Sequence, residues 1–172
     1  MATTVLCGMA IFITVQRLFE LRLAARNRAR ALAKGAQEFG ANHYPLFIVL
    51  HTGWMLGWLL EAYARGPDLG ERWYSWLGLF MAAQGLRYWA IASLGRFWNT
   101  RILIVPGESR VRRGPYRWLA HPNYLAVAVE LAAVPLIFGA WITALGVSIL
   151  NGVLLLAVRI PTEKAALRWM DE

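Results

Sequence analysis

Polar side chains able to do chemistry concentrate in two short stretches of an otherwise apolar chain of 172 residues. The first is His121-Pro122-Asn123-Tyr124, and the second contains Arg159 and Glu163. Carboxylate, imidazole, amide and guanidinium groups bind polar ligands through hydrogen bonds and charge. His121 or Glu163 could also take a proton from a reacting group. These residue types predict a small-molecule site if the fold brings the two stretches together.

Arg159 and Glu163 are four residues apart, with Pro161 between them. If a helix continues across the proline, both side chains lie on one helix face. If the proline breaks the helix, Glu163 points at a new angle. A surface salt bridge worth little stability is the alternative reading of this pair.

Common cofactor and metal motifs are missing from the chain. No Gly-x-Gly-x-x-Gly follows a strand, and neither a phosphate-binding loop nor a His-Glu-x-x-His sequence occurs. The three histidines (His43, His51 and His121) are far apart in sequence, and one cysteine cannot form an internal disulfide or a zinc cluster. We therefore expect no metal site and a chemistry that needs no metal.

The composition predicts an all-α integral membrane protein. Hydrophobic residues make up 58% and charged residues 16%, against roughly 45–50% and 25% in soluble domains. This composition excludes a disordered chain, a disulfide-stapled module and an ordinary cytosolic enzyme. Five segments approach the length of about 20 residues that a spanning helix needs: Thr3 to Leu21, His43 to Ala64, Trp73 to Leu94, Asn123 to Phe138 and Trp141 to Ile160. We predict one domain over residues 1–172, with three spans in 1–95 and the functional stretches in 96–172. The last two segments should form a tight helical hairpin.

The distribution of positive charge predicts the topology. A net charge of +8 could suggest nucleic acid, but long apolar stretches divide the cations. All of the 18 lysines and arginines except Arg17, Arg65, Arg72 and Arg87 lie in three segments, which follow the first, third and fifth predicted spans. Positive flanks stay cytoplasmic, which places the N-terminus outside and the C-terminus inside. The first of these segments, Arg22 to Lys34, should be a helical extension or a surface helix.

Several side chains inside or near the spans call for separate expectations. Seven tryptophans lie mostly near span ends, as interfacial anchors do, with an aromatic wall for a ligand as the alternative: Trp54, Trp58, Trp73, Trp76, Trp89, Trp98 and Trp118. His43 and His51 are about 80° apart around a helix, so they either face one cavity or pack in the core. Four charged residues lie inside the predicted spans: Arg17, Glu20, Arg87 and Glu130. A charged residue in hydrocarbon costs about 2.5–3.5 kcal/mol, so each should face protein, water or a helix end. Arg87 and Glu130 are a candidate pair.

The connecting stretch Arg96 to Tyr124 is long for such a protein, which favours a functional role. Within it, Ile102-Leu103-Ile104-Val105 followed by Pro106-Gly107 predicts an extended segment and a turn. Gly114-Pro115-Tyr116 predicts a second turn, and Pro122 suits the first turn of the fourth helix.

The run GPYRWLAHPNY, with RIPTE after the next hairpin, resembles the isoprenylcysteine carboxyl methyltransferase family of integral-membrane enzymes. The resemblance covers Phe97 to Arg168. The segments QEFGANHYP and LGRFWNTRILIVPG are similar to a small bacterial branch, whose members are associated with methylating alkylpyrones and phenolic lipids. The resemblance implies a methyltransferase of the bacterial plasma membrane that uses S-adenosylmethionine and a lipid acceptor.

The resemblance also implies a role for each matching residue. His121, Arg159 and Glu163 would be catalytic, and Arg159 would address the acceptor. The cofactor would be bound by Val111, Tyr116, His121, Pro122, Asn123, Tyr124 and Glu163. S-adenosylmethionine carries a sulfonium, an ammonium, a carboxylate and a flat adenine, and these side chains are of the types such a ligand needs.

Two differences from the larger members bear on the acceptor. Ala120 stands where an arginine commonly precedes the His-Pro pair, and larger members continue well past the glutamate. Both differences argue against prenylcysteine substrates in proteins and leave the acceptor side more open. The preferred acceptor is a flat lipid ring with a long alkyl chain, which enters sideways from the bilayer. The alternatives are the carboxyl group of a prenylated cysteine, the amine of a phospholipid, and a non-catalytic lipid-binding protein.

Overall fold

The computed structural model describes residues 2–171, with side chains described as far as Trp169. Four helices come first: α1 (Ala2–Ala33), α2 (Tyr44–Ala64), α3 (Trp73–Leu94) and α4 (Pro122–Ile137). A long C-terminal helix follows, made of α5 (Trp141–Val153), a π-helical segment (Leu154–Arg159) and α6 (Ile160–Asp171). All five predicted apolar segments are helical.

Three helical stretches in the described chain are long and apolar enough to cross a membrane: Ala2–Ala33, Ala41–Ala64 and Trp141–Trp169. The predicted all-α membrane architecture is confirmed. Helix α4 is apolar but shorter, and α3 has the length of a span but carries buried Gln84 and Arg87. The count of five spans stays a prediction.

The basic segment after the first apolar run continues α1 as far as Ala33, so the predicted helical extension is confirmed. Asn27 attaches this extension to the stretch that follows α3. Its Nδ2 donates to the carbonyl oxygens of Gly95 (3.1 Å) and Trp98 (2.8 Å). The ends of α1 and α3 therefore meet on one side of the molecule.

Tryptophans form the centre of the core. Trp54 and Trp58 on α2 are almost completely buried. The Trp54 Nε1 donates to the carbonyl oxygen of Leu131 in α4 (3.0 Å), and Trp58 stacks on Phe138. The expectation that these two tryptophans are interfacial anchors is wrong, because their α2 face packs against α4 and not against lipid.

The predicted extended segment forms β2 (Ile102–Ile104) and pairs antiparallel with β1 (Gln37–Phe39). In this register Glu38 lies opposite Leu103. Ile102 and Ile104 are buried against Ala166 of α6. This ribbon joins the α1–α2 connection to the C-terminal helix, next to the stretches that the sequence singles out.

The hairpin between α4 and α5 is as tight as predicted. Gly139 turns the chain with φ of 67°, a conformation that favours glycine. The carboxylate of Glu61 on α2 accepts hydrogen bonds from the backbone N–H groups of Ile142 (3.1 Å) and Thr143 (2.8 Å). A carboxylate there satisfies unpaired donors at the N-terminus of α5.

Candidate active site

The two polar stretches meet where α4 begins. Pro122 occupies the first turn of α4, directly after His121, and positions Tyr124 one turn into the helix. The Tyr124 hydroxyl donates to Glu163 Oε2 on α6 at 2.6 Å. This short bond to a charged acceptor joins residues 39 positions apart in sequence. The fold therefore unites the residues that the sequence predicts to act together.

His121 lies beside the same carboxylate. Its ring stacks on that of Tyr124, with centroids 5.2 Å apart and planes at 14°. Its Nδ1 is 3.5 Å from Glu163 Oε2. The imidazole, the Tyr124 ring and the Glu163 carboxylate therefore form one contiguous group at the start of α4.

Arg159 approaches Tyr124 from the C-terminal helix. Its Nε donates to the Tyr124 hydroxyl oxygen (3.0 Å), and its Nη2 donates to the carbonyl oxygen of Thr100 (2.9 Å). The guanidinium also lies over the ring of Phe47, 5.8 Å from its centroid. Arg159 is buried, so a surface salt bridge does not describe it.

The C-terminal helix continues across Pro161, and the π-helical segment explains how. The Ile160 N–H bonds to the carbonyl oxygen of Leu155, five residues back. Pro161, the next residue, has no backbone N–H and therefore forms no helical hydrogen bond of its own. Inside helices, π-helical turns often mark functional sites. Arg159 and Glu163 consequently share one helix face and meet at the Tyr124 hydroxyl, so the alternative of a broken helix is wrong.

Tyr116 comes from the predicted second turn, a 3-10 helix over Gly114–Arg117. Gly114 adopts a φ of 59°, and a Cβ there would overlap the side chain of Ser93. Arg113 fixes the turn to α3, since its Nε donates to the Ser93 carbonyl oxygen (2.8 Å). Burial raises the pKa of Tyr116, and the negative charge of Glu163 raises it further. Tyr116 is therefore a neutral phenol, able to donate a hydrogen bond.

These side chains open onto one cavity of about 880 Å³, within the roughly 300–1,000 Å³ of small-molecule sites. All but one of the predicted site residues line it: Val111, Tyr116, His121, Asn123, Tyr124, Arg159 and Glu163. Pro122 is buried at the start of α4 and is absent from the cavity wall. Its contribution is to begin the helix that carries its neighbours.

The structure adds residues that the sequence did not suggest. Thr100 positions Arg159 through its carbonyl oxygen, a group that every residue has, so its identity carried no signal. The Tyr44 hydroxyl is 3.3 Å from Thr100 Oγ1, which connects the start of α2 to the same loop.

Glu38 on β1 forms ion pairs with Arg28 (2.9 Å) and Arg101. Burial alone would raise the pKa of Glu38, but hydrogen bonds and charge from both arginines hold it below its usual range.

The cavity continues down between the helices to a cluster of four charges. The predicted pair is present, since Arg87 Nη1 donates to Glu130 Oε2 at 2.7 Å. Arg87 also bonds to Glu20 (2.8 and 3.0 Å), and Arg17 bonds to both carboxylates. We call Arg17, Glu20, Arg87 and Glu130 the charge cluster.

The two histidines of the second predicted span have different surroundings. His51 lines the deep part of the cavity. His43 lies beneath Gly40, packs edge-on against Phe47 and is absent from the cavity wall. His51 therefore faces the cavity and His43 packs in the core, although the sequence treated them alike.

Comparisons with known proteins bear on what this site does. A family model described as "Isoprenylcysteine carboxyl methyltransferase (ICMT) family" matches residues 76–169, more than half of the chain. "Uncharacterized protein YpbQ" of Bacillus subtilis is 41% identical over 156 residues, which cover 91% of this chain and 92% of that protein. An "Uncharacterized protein" of Haemophilus influenzae is 28% identical over 152 residues, or 88% of each chain. No solved structure matches. The matched region contains every predicted site residue.

Proposed function

We propose, because this chain belongs to the isoprenylcysteine carboxyl methyltransferase family of membrane methyltransferases, that it transfers a methyl group from S-adenosylmethionine to an oxygen of a membrane lipid. The observation that carries the proposal is the Tyr124 hydroxyl, which joins Arg159 and Glu163 at the wall of a cavity of about 880 Å³. A site for donor and acceptor together needs such a volume and such polar groups.

The residues present fit S-adenosylmethionine. Asn123 lines the cavity, and its buried Oδ1 has no hydrogen-bond partner within the described part of the chain. An unpaired buried acceptor costs about 1–3 kcal/mol, a cost that an N–H donor of a ligand would remove. Glu163 adds a negative charge for the cationic part, and Tyr116 adds a neutral donor. When bound, the cofactor supplies an electrophilic methyl group.

Arg159 and His121 act on the acceptor in this proposal, and Glu163 lies beside the His121 ring. Arg159 is held by Tyr124 and Thr100, so its charge is already oriented when an acceptor oxygen arrives. The His121 ring, fixed by Tyr124 and close to Glu163, takes the proton of a phenolic or enolic hydroxyl. Positioning in a site closed to water can supply much of the rate acceleration.

The lining of the cavity supports a lipid acceptor. We call the part of the wall formed by Tyr116, His121, Tyr124, Arg159 and Glu163 the polar rim. Below it, the wall is largely apolar and includes the following residues: Leu18, Leu21, Ile48, Met55 and Leu155. An alkyl chain buried along such a wall gains about 0.8 kcal/mol per CH₂ group. We therefore prefer a flat ring with a long alkyl chain, as in an alkylpyrone or phenolic lipid, over a prenylated cysteine or a phospholipid amine.

We infer the side of the membrane from the charges near the rim. The basic end of α1 meets the stretch after α3 through Asn27, and Lys34 contacts Glu108 at 3.4 Å. Since positive segments remain cytoplasmic, the rim would face the cytoplasm, where a soluble cofactor is available. This orientation places the N-terminus outside and the C-terminus inside.

Calorimetry on the full chain in lipid nanodiscs tests the proposal. The wild type should bind S-adenosylmethionine, and Glu163→Gln should weaken binding about 10- to 100-fold, as the loss of a hydrogen bond to a charged group would. Glu71→Gln is the matched control, because Glu71 is exposed in a loop far along the chain from the site residues, and it should bind like the wild type.

Label from the methyl group of the cofactor identifies the acceptor. Incubation with bacterial lipid extract should transfer label to a lipid in the wild type and not in Glu163→Gln. Absence of cofactor binding by the wild type would refute the proposal. Label found in protein instead of lipid would refute the preferred acceptor.

A further inference from the structure

The deep end of the cavity is polar, although it lies far below the rim. Its wall includes Arg17 and His51, and the polar residues Thr14, Thr52 and Asn151 line the same cavity. Resting on the proposed function, we propose that Arg17 and His51 form a second polar subsite, which binds an uncharged hydroxyl or carbonyl group on the chain of the lipid acceptor.

The distance between rim and subsite follows from α2. Tyr44 lies level with the rim, because its hydroxyl approaches Thr100, which in turn holds Arg159. His51 is seven residues further along the helix, or about 10 Å at 1.5 Å per residue. An acceptor whose reacting oxygen lies at the rim would thus place a chain position about 10 Å away beside His51.

Arg17 differs from Arg87 in how it is used. The side chain of Arg87 is only 5% exposed, and its Nε, Nη1 and Nη2 all bond to Glu20 or Glu130. Both arginines line the cavity, but the side chain of Arg17 is 20% exposed. A guanidinium has five N–H donors, and the bonds of Arg17 to Glu20 and Glu130 use one on each terminal nitrogen. Arg17 therefore has donors left for a ligand.

His51 supplies the complementary acceptor. Its Nδ1 is 2.7 Å from the carbonyl oxygen of Phe47, and a carbonyl only accepts, so Nδ1 carries the proton. In the neutral ring, Nε2 is then a hydrogen-bond acceptor. His51 and Arg17 line the same cavity, and the charges of Arg17 and Glu130 both act on His51.

Charge balance decides which ligand group fits. The charge cluster contains two arginines and two glutamates, which cancel, and a neutral His51 adds nothing. A phosphate or carboxylate bound there would leave an uncompensated charge in apolar surroundings, which is costly. A hydroxyl can accept from Arg17 and donate to His51, and a carbonyl can accept from Arg17. Without a hydroxyl or carbonyl on the lipid, the free N–H groups of Arg17 and the Nε2 of His51 would face an apolar alkyl chain and lack hydrogen-bond partners.

Binding of two matched probes to the full chain in nanodiscs tests this subsite without the cofactor. The probes are 4-pentadecylphenol and its analogue with one hydroxyl on the chain about 10 Å from the phenol oxygen. We expect the wild type to bind the hydroxylated probe about tenfold more tightly in calorimetry, as one or two hydrogen bonds would produce. His51→Phe should abolish this preference, because the affinity for the hydroxylated probe should fall to that for 4-pentadecylphenol in the same variant.

Two further variants keep the test decisive. His43→Phe makes the same change at a histidine outside the cavity wall and should keep the tenfold preference. His51→Gln retains an acceptor and should keep part of it. Equal binding of both probes by the wild type, or a preference that survives in His51→Phe, would overturn the subsite. Failure of the proposed function would show separately, as an absence of S-adenosylmethionine binding.

Discussion

The charge cluster provides the sharpest test of what holds the helices together. Glu130 on α4 is 1% exposed and accepts hydrogen bonds from Arg17 and from Arg87 (2.7 Å). Glu130→Gln keeps the shape of the side chain but removes its negative charge. One arginine then remains uncompensated among buried groups, which costs about 3–5 kcal/mol.

Pairing that variant with a second one separates charge balance from packing. Arg87→Met alone leaves an unpaired carboxylate and should cost a similar amount. The double variant Arg87→Met/Glu130→Gln leaves Arg17 with Glu20, which are 2.7 Å apart, so the remaining charges cancel. We expect the double variant to lose about 1–3 kcal/mol less than the sum of the single variants.

Equilibrium unfolding in mixed micelles, followed by far-ultraviolet circular dichroism, measures these free energies of unfolding. Glu108→Gln is the matched control, because Glu108 pairs with exposed Arg96 and Lys34, and exposed pairs contribute about 0–1 kcal/mol. A loss of under 1 kcal/mol in Glu130→Gln, or strictly additive losses in the double variant, would contradict the reasoning.

Two further predictions concern the ribbon and the turn beside the site. The pKa of Glu38 is lowered in the folded protein, so its stabilising effect is full above about pH 4.3, the ordinary value for a glutamate, and is lost as the pH falls through the lowered pKa. The difference in unfolding free energy between wild type and Glu38→Gln should therefore shrink on acidification below pH 4.3; a constant difference would argue against the pairing. Gly114→Ala should destabilise the protein by about 1–3 kcal/mol through its positive φ and the overlap with Ser93, and should weaken binding of S-adenosylmethionine by displacing Tyr116. Gly146→Ala, in a helix with open space around it, should show neither effect in thermal unfolding and calorimetry.

Local pattern was enough to predict the helices, the hairpin and the turns. The length of each apolar run, the proline at the start of α4 and the Pro106-Gly107 turn depend on residues close together in sequence. These preferences act on the local backbone, so they can be recognised in the sequence without knowing which residues pack together in the fold. The pairing of Arg87 with Glu130 was also predictable, because charges in apolar spans need opposite charges.

Contacts between distant residues were beyond the reach of such patterns. Tryptophan is a residue type common among interfacial anchors, yet the face of α2 that carries Trp54 and Trp58 packs on α4. Nothing local distinguishes His51, which faces the cavity, from His43, which does not. Thr100 acts through its backbone, and β1 was not predicted because three residues of strand depend on their partner.

The amino-acid sequence alone determined that this chain is helical and suited to a membrane, and it singled out side chains that line one cavity. Only the tertiary structure decided that Tyr124 joins Arg159 to Glu163, and that the cavity beneath them reaches the charge cluster. The physical reason is that helix formation depends on hydrogen bonds four or five residues apart. A site, in contrast, depends on how the rotation and depth of separate helices bring side chains face to face.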